Sequence, residues 1–270
     1  MKIAFLTSNP NASLIEPVSV AFERKGIKTE IIDTNKNLSR VKENYDLVIV
    51  RLLKPGYLYL VQLLEEQGIK VINPFTALSI CSNKMLSTLI MKKAGLKIPK
   101  TALISGGEIE LVKNFNFPVV VKPIFGRSSG IEYIERVNDL KNKNIDMDDV
   151  FLQEYINGDL IRIYKIGPFI KAYLCKEKHV ETTVPERIIK QTSECFERIG
   201  MEIGGMDCIK SKNSYYFIDI NDMPAGIKHF ENLVEILIKY LESVLRRMKG
   251  KYGALESRNY DTVSTLQKEV

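Results

Sequence analysis

Two carboxylates and an amide in the segment 206–226, MDCIKSKNSYYFIDINDMPAG, are the groups in this chain best suited to chemistry. Asp207 ends a short apolar run, and Asp219 and Asn221 lie in a second run, YYFIDIN, one hairpin later. In a strand, residues two apart share a face. Asp219 and Asn221 therefore point one way, with Ile218 and Ile220 the other. Two antiparallel strands bring Asp207 alongside them. The set is made of hard oxygen ligands, which Mg²⁺ prefers and commonly shares with substrate phosphates. On its own the hairpin reads equally well as a polar turn with solvated carboxylates, so the upstream sequence decides.

Lys122 ends the apolar strand VVVK and is followed by Pro123 and the turn FGRSSG. A lysine at a strand end aims one charge at a fixed point. The turn adds the backbone N–H of Gly126, the charge of Arg127 and the hydroxyls of Ser128 and Ser129, a combination suited to a phosphate chain. Any tight hairpin also carries Gly and Ser, so the turn is weak evidence alone. Lys84 follows Ser82 and Asn83, two good N-cap residues, and lies in a first helical turn, where a solvated lysine is the ordinary expectation. Gln153, Glu154, Tyr155 and Ile156 end another strand, where backbone and carboxylate suit an adenine edge. Arg162 opens the next strand, and its guanidinium can clamp a phosphate or carboxylate in bidentate fashion. His179 and His229 read as surface histidines, and no Ser-His-Asp or Cys-His arrangement stands out.

The elements that position these residues fall into two regions. Strands at 2–7, 27–33, 46–50 and 70–72 alternate with helices at 13–25 and 57–67. That alternation predicts a parallel sheet with right-handed crossovers. No GxGxxG follows the first strand, so a dinucleotide fingerprint is absent. A helix from Ser82 to Ala94, closed by Gly95, begins the second region. Strands at 119–122, 150–155, 161–166 and 169–174 follow, then a helix at 186–199 and the Asp207/Asp219 hairpin. Mixed antiparallel strands and helices make this region α+β. A last helix over 228–248 carries Phe230, Leu233, Leu237, Leu241 and Val244 on one stripe, and a polar tail follows.

With 270 residues, 45% hydrophobic and 27% charged, the chain has ample material for a globular core. No apolar run has the length of a membrane span, and MKIAFLTSNP reads as a buried first strand rather than a targeting segment, so a cytoplasmic protein with no membrane partner is expected. The net charge of +6 is modest and dispersed, and a binder of anionic small molecules such as nucleotides explains it as well as nucleic-acid binding does; with no basic–aromatic face apparent, nucleic acid is not the expected partner. Cys81, Cys175, Cys195 and Cys208 are widely spaced and read as free thiols.

Lys84, Lys122 with its turn, QEYI, Arg162, Asp207 and Asp219 with Asn221 occur in an order that resembles the ATP-grasp superfamily, in particular its RimK-type glutamate ligases. NKMLSTLIMKKAGLKIPKT resembles that family's lysine-bearing helix, VVVKPIFGRSSGI its second lysine and phosphate-covering loop, and FLQEYI its adenine hinge. GDLIRIYKIG resembles its arginine strand, and FIDIN with PAG the end of its metal site. The resemblance spans about residues 1–245. It implies a parallel-sheet pre-grasp domain (1–80), an ATP-grasp small subdomain (81–150), a large subdomain with the metal site (151–250) and a tail (251–270). Carried across, Lys84 and Lys122 contact the ATP phosphates. Glu154, Tyr155 and Ile156 hold adenine, and Asp207, Asp219 and Asn221 bind Mg²⁺ or Mn²⁺. Arg162 faces the transferred phosphoryl group.

The sequence departs from the family at several points. The 125–130 loop is one residue short, with Arg127-Ser128-Ser129 in place of its middle glycine. Asp159 stands three rather than two residues before Arg162, so the ribose contact carries over only weakly. The stretch between Lys171 and Glu186 is too short for the family's Arg-x-Asn insertion, leaving Lys171, Lys176, Lys178 or His179 as substitutes. The expected activity is an ATP-dependent ligase joining a carboxylate to an amine, such as an amino acid like glutamate, with homo-oligomers compatible. The rivals are a small-molecule kinase, since DIN-x-x-P also resembles the inositol phosphate kinases, and a nucleotide-binding protein without turnover.

Overall fold

The computed structural model describes residues 1–36, 41, 44–105, 112–125, 131–142, 150–177, 179–230 and 232–248. The N-terminal region is a four-stranded sheet of β1 (Lys2–Thr7), β2 (Lys28–Asp33), β3 (Leu47–Arg51) and β4 (Lys70–Ile72), in the order β2-β1-β3-β4. Each of its pairings is parallel. Helices α1 (Ile15–Glu23) and α2 (Leu58–Glu66) make the crossovers, as the alternation of strands and helices requires.

A helix begins earlier than the sequence suggests. The helix expected from Ser82 to Ala94 is α4 (Lys84–Lys93), and an additional helix, α3 (Phe75–Ser82), precedes it, the two parted at Asn83. Asn83 is extended at φ −119°, and its side chain accepts from the backbone N–H of Leu86 at 3.0 Å, so it caps α4. Gly95 ends α4 in the left-handed region at φ +78°, where a side chain would be strained.

Two antiparallel sheets follow. The smaller comprises β5 (Thr101–Ile104), β6 (Val119–Pro123), β7 (Glu132–Ile134) and β8 (Val150–Glu154), in the order β5-β8-β6-β7, with a short helix α5 (Val137–Asn142) after β7. The larger comprises β9 (Asp159–Ile166), β10 (Phe169–Cys175), β11 (His179–Thr182), β12 (Ile203–Ser211) and β13 (Ser214–Asp222), in the order β11-β10-β9-β12-β13. Strand β11 was not foreseen; it is a four-residue edge strand with no alternating pattern.

The larger sheet is covered on both faces. On one face lies α6 (Glu186–Arg198), whose buried Ile188, Thr192, Cys195 and Phe196 repeat at helical spacing. They join Ile161, Ile163, Met206, Cys208, Phe217 and Ile220 in one core. On the other face, Tyr164, Ile166 and Ile203 pack with Ile3, Phe5 and Ile49 of the parallel sheet. Leu233, Leu237 and Leu241 of α7, a helix over 232–248, complete that core. Each large apolar side chain so buried contributes roughly 1.5–3 kcal/mol. Asn73 joins the two sheets: its Nδ2 donates to Ile203 O at 2.6 Å, and its Oδ1 accepts from the N–H of Glu202 and Ile203 at 3.0 and 2.9 Å. All four cysteines are free, with Cys81, Cys195 and Cys208 buried. Among the described residues no helix is long and apolar enough to cross a membrane.

Candidate active site

Strand register builds the centre of the site. Asp207 on β12 lies opposite Asp219 on β13, and opposite Arg162 on β9. Directly opposed residues in antiparallel strands point to the same face. Arg162, Asp207 and Asp219 therefore form one row across three adjacent strands, and Asn221 lies two residues along on that face. A register shift after Asp207 lets β13 insert Ile218, so that Asp219 and Ile220 regain the alternation and Ile220 is buried in the opposite core. Bulges of this kind commonly re-aim side chains beside active sites. The expectation that Asp207 joins Asp219 and Asn221 is met by this pairing.

Ion pairs hold the row. Arg162 Nε donates to Asp207 Oδ1 at 3.0 Å and Nη2 to Oδ2 at 3.4 Å, a two-pronged contact. Lys84 Nζ donates to Asp219 Oδ1 at 2.6 Å. The helical start of α4 is anchored by Lys84 N–H to Ile124 O at 2.9 Å and by the bridge of Asn83 to Phe125, just past β6. This anchoring carries Lys84 inward, so it is buried rather than solvated.

The smaller sheet supplies the second lysine. On β6 and β8, Lys122 opposes Phe151 and Val120 opposes Gln153, so all four side chains share one face. Lys122 Nζ donates to Gln153 Oε1 at 2.9 Å, and the Gln153 Nε2 atom is buried with no hydrogen-bond partner. Burial lowers the Lys122 pKa, while the nearby charges of Asp219 and Asp207 raise it and that of Lys84 lowers it again. Lys122 thus lies within electrostatic reach of the Asp207/Asp219 row on the other sheet. Burial likewise pushes Asp207 up to about 6; Arg162 opposes this shift and the Asp219 charge adds to it.

The remaining expected residues are placed unevenly. Glu154 Oε1 accepts from the backbone N–H and Nδ2 of Asn116 at 3.0 and 3.1 Å, so its side chain is spent on a neighbouring turn. The Tyr155 N–H donates to Pro118 O at 3.0 Å, and its exposed ring meets Tyr133 edge-on at 5.2 Å. Asp159 is an odd number of residues from Arg162 and leaves β9 toward the other face, where it pairs with Lys176 at 3.4 Å. Gly126, Arg127, Ser128, Ser129, Lys178 and the tail after 250 lie outside the described residues. One wall was not legible from spacing: a cavity of about 240 Å³ is lined by Lys84, Arg162, Asp207 and Asn221 together with Leu53 and Leu58 of the parallel-sheet region.

Two carboxylates and an amide on one face fit a hard divalent cation in donor type. Among the described residues no group of three His, Cys, Asp or Glu side chains converges, so any such cation here would take an amide or outside oxygens as well. Lys84, Lys122 and Arg162 bring three positive charges against Asp207, Asp219 and Asp222, so a divalent cation held there would tip the site toward a polyanion.

Solved structures with this arrangement of sheets are ATP-grasp proteins. A RimK domain ATP-grasp protein from Sphaerobacter thermophilus superimposes with a TM-score of 0.74 at 15% identity, covering 89% of this chain and 99% of that one. D-alanine–D-alanine ligase from Bacillus anthracis, complexed with ATP, superimposes with a TM-score of 0.70 at 17% identity, covering 92% and 99%. In sequence, the coenzyme gamma-F420-2:alpha-L-glutamate ligase of Methanococcus maripaludis is 28% identical over 249 residues, 80% of this chain and 85% of that one. No family model matches the chain. The fold is that of the ATP-grasp proteins. In sequence and fold the chain is similar to carboxylate–amine ligases of that class, RimK-type glutamate ligases among them.

Proposed function

We propose that the chain uses ATP and Mg²⁺ to phosphorylate a substrate carboxylate and then joins the acyl group to the amine of an amino acid such as glutamate. The observation that carries this reading is the row Arg162–Asp207–Asp219, closed by Lys84 and faced by Lys122. A free carboxylate resists amines because its leaving group would be oxide. The carboxylate oxygen attacks the γ-phosphorus of ATP, ADP leaves, and the acyl phosphate then loses inorganic phosphate to the amine. This chemistry needs positioning and charge neutralisation more than covalent help from the protein.

Lys84 and Lys122 hold the phosphates, with the free Gln153 Nε2 as a further donor. The backbone at Glu154–Ile156 receives adenine. Arg162 holds the transferred phosphoryl group. Asp207, Asp219 and Asn221 hold Mg²⁺, or Mn²⁺ in its place, which when bound neutralises phosphate charge. Residues 1–80 then act as the pre-grasp unit that lines the acceptor cavity, 81–150 and 151–250 as the two halves that enclose ATP, and 251–270 as a tail.

The test incubates the protein with ATP, Mg²⁺ and a panel of carboxylate acceptors, each with and without single amino acids. Amide product, with one ADP per bond, is expected. A phosphate ester in place of the amide would assign a kinase instead, and ATP binding without ADP release would deny turnover.

A further inference from the structure

The chain holds two histidines, and the fold brings them together. His179 opens the edge strand β11, and His229 closes the 3₁₀ turn Ala225–His229. Their ring centroids are 5.7 Å apart at 61°. The His179 ring also lies 5.8 Å from Phe230, which packs 4.2 Å from Tyr173. Register places this cluster relative to the site. His179 opposes Cys175, and Glu181 opposes Tyr173, which in turn opposes Arg162. Alternation therefore puts His179 on the same face as Arg162, Asp207 and Asp219. It stands on the β10–β11 side of Arg162, away from the carboxylates on β12 and β13. The His179 Nδ1 atom is buried and makes no hydrogen bond. Buried side-chain nitrogens without a partner are uncommon and call for an explanation.

The ligase reading above, on which this inference rests, leaves one proton unassigned. An amino-acid amine is an ammonium ion at neutral pH and has no lone pair with which to attack. Asp207, Asp219 and Lys84 lie on the β12–β13 side of Arg162, and His179 lies on its β10–β11 side. We infer that His179 accepts the proton of the incoming amine, with His229 and Phe230 fixing its ring. The imidazole takes one proton from R–NH₃⁺. The resulting amine forms the N–C bond, the C–O bond to phosphate breaks, and the second N–H proton leaves with the phosphate. The amide keeps one N–H.

The surroundings keep the imidazole in the form that can accept. Burial first, then the charges of Arg162 and His229, lower the His179 pKa. Glu181, the carboxylate on the same strand, is paired with Lys171. Among the described residues, Cys175 and Tyr173 on β10 and Lys228 on the turn are the other titratable groups of the adjoining elements.

The experiment compares wild type, His179→Gln and His179→Ala in two reactions. One gives the amide with the amino acid. The other gives the hydroxamate with hydroxylamine, which is largely unprotonated at neutral pH and needs no base. Amide formation should fall about 100-fold or more in both variants, the range of general-base effects, while hydroxamate formation stays within about threefold. The amide deficit should shrink as pH rises toward the pKa of the amine. The ratio of the two products is the readout, so partial misfolding, which lowers both, does not imitate the effect. Equal falls in both products would give His179 a structural role, and unchanged amide formation would give it none; either overturns the inference. A wild type that forms neither product would instead remove the ligase reading, and this inference with it.

Discussion

Lys84 and Lys122 are each 7% exposed, yet one faces a carboxylate and the other an amide. Lys84, on the larger sheet's side, is neutralised by Asp219, and the neighbouring Arg162 by Asp207. That region is built of matched charges fixed by strand register. Lys122, on the smaller sheet, has Gln153 as its direct partner and is depressed mainly by burial. A charge left uncompensated by direct contact is a charge available to a ligand. The larger sheet is thus organised around ions with no ligand present, whereas on the proposed function the smaller sheet takes its counter-charge from ATP.

The strongest way to break this contrast is Asp219→Asn, which keeps the shape and an acceptor for Lys84. Steady-state ADP release should fall by about 10³-fold with the circular dichroism spectrum retained, in line with the loss of a group that stabilises transition-state charge. Retained Mg²⁺-dependent turnover would break the metal assignment.

Next in size, the two lysines should respond differently to methionine. Lys84→Met leaves the Asp219 carboxylate without its cation and should cost about 3–5 kcal/mol in denaturant unfolding. Lys122→Met leaves only an amide oxygen unpaired, costing about 1–3 kcal/mol, while removing a desolvated charge. Its larger effect should be on ATP affinity, read by calorimetry. Equal stability losses would erase the distinction between the sheets.

The Asp207 carboxyl sharpens the contrast through pH. Its folded pKa of about 6 lies above the ordinary 3.8, so between these values the folded chain holds a proton that the unfolded chain has lost. Metal-free stability from this group is therefore lost as pH rises from about 4 to 6 and is at its lowest above that. Asp207→Asn should gain on wild type over this window by on the order of 3 kcal/mol, then stay level. A difference that is flat from pH 4 to 7 would contradict the burial of this charge.

The smallest effect tests the packing beneath the row. A Cβ at Gly226 would stand 2.0 Å from the Tyr164 hydroxyl, and one at Gly205 would stand 2.9 Å from Pro224 Cγ. Gly226→Ala should cost about 1–3 kcal/mol by overpacking, measured as a lowered unfolding midpoint. An unchanged midpoint would mean the tyrosine moves freely and does not fix the turn after Asn221.

Much of the row was legible because strands write their faces in steps of two. Asp219 and Asn221 declare a shared face, and the apolar runs around Asp207 and Asp219 declare the hairpin. The parallel sheet followed likewise from alternating strands and helices. What depends on distant partners was not legible. Lys84 reads as a surface lysine until Asp219, 135 residues away, is seen to receive it. Glu154 reads as a free carboxylate until Asn116 claims it. Helix α3 was missed because FTALSICS is apolar on nearly every side and shows no stripe. Strand β11 was missed because four edge residues carry too little pattern, and with it went the meeting of His179 and His229.

On the proposed function the chain activates a carboxylate as its acyl phosphate. The most direct measurement uses an acceptor labelled with ¹⁸O in its carboxylate, with ATP, Mg²⁺ and an amino acid, and reads the released inorganic phosphate by mass spectrometry. One ¹⁸O is expected in each phosphate released per amide formed. Unlabelled phosphate, with both ¹⁸O atoms kept by the acceptor, would contradict it.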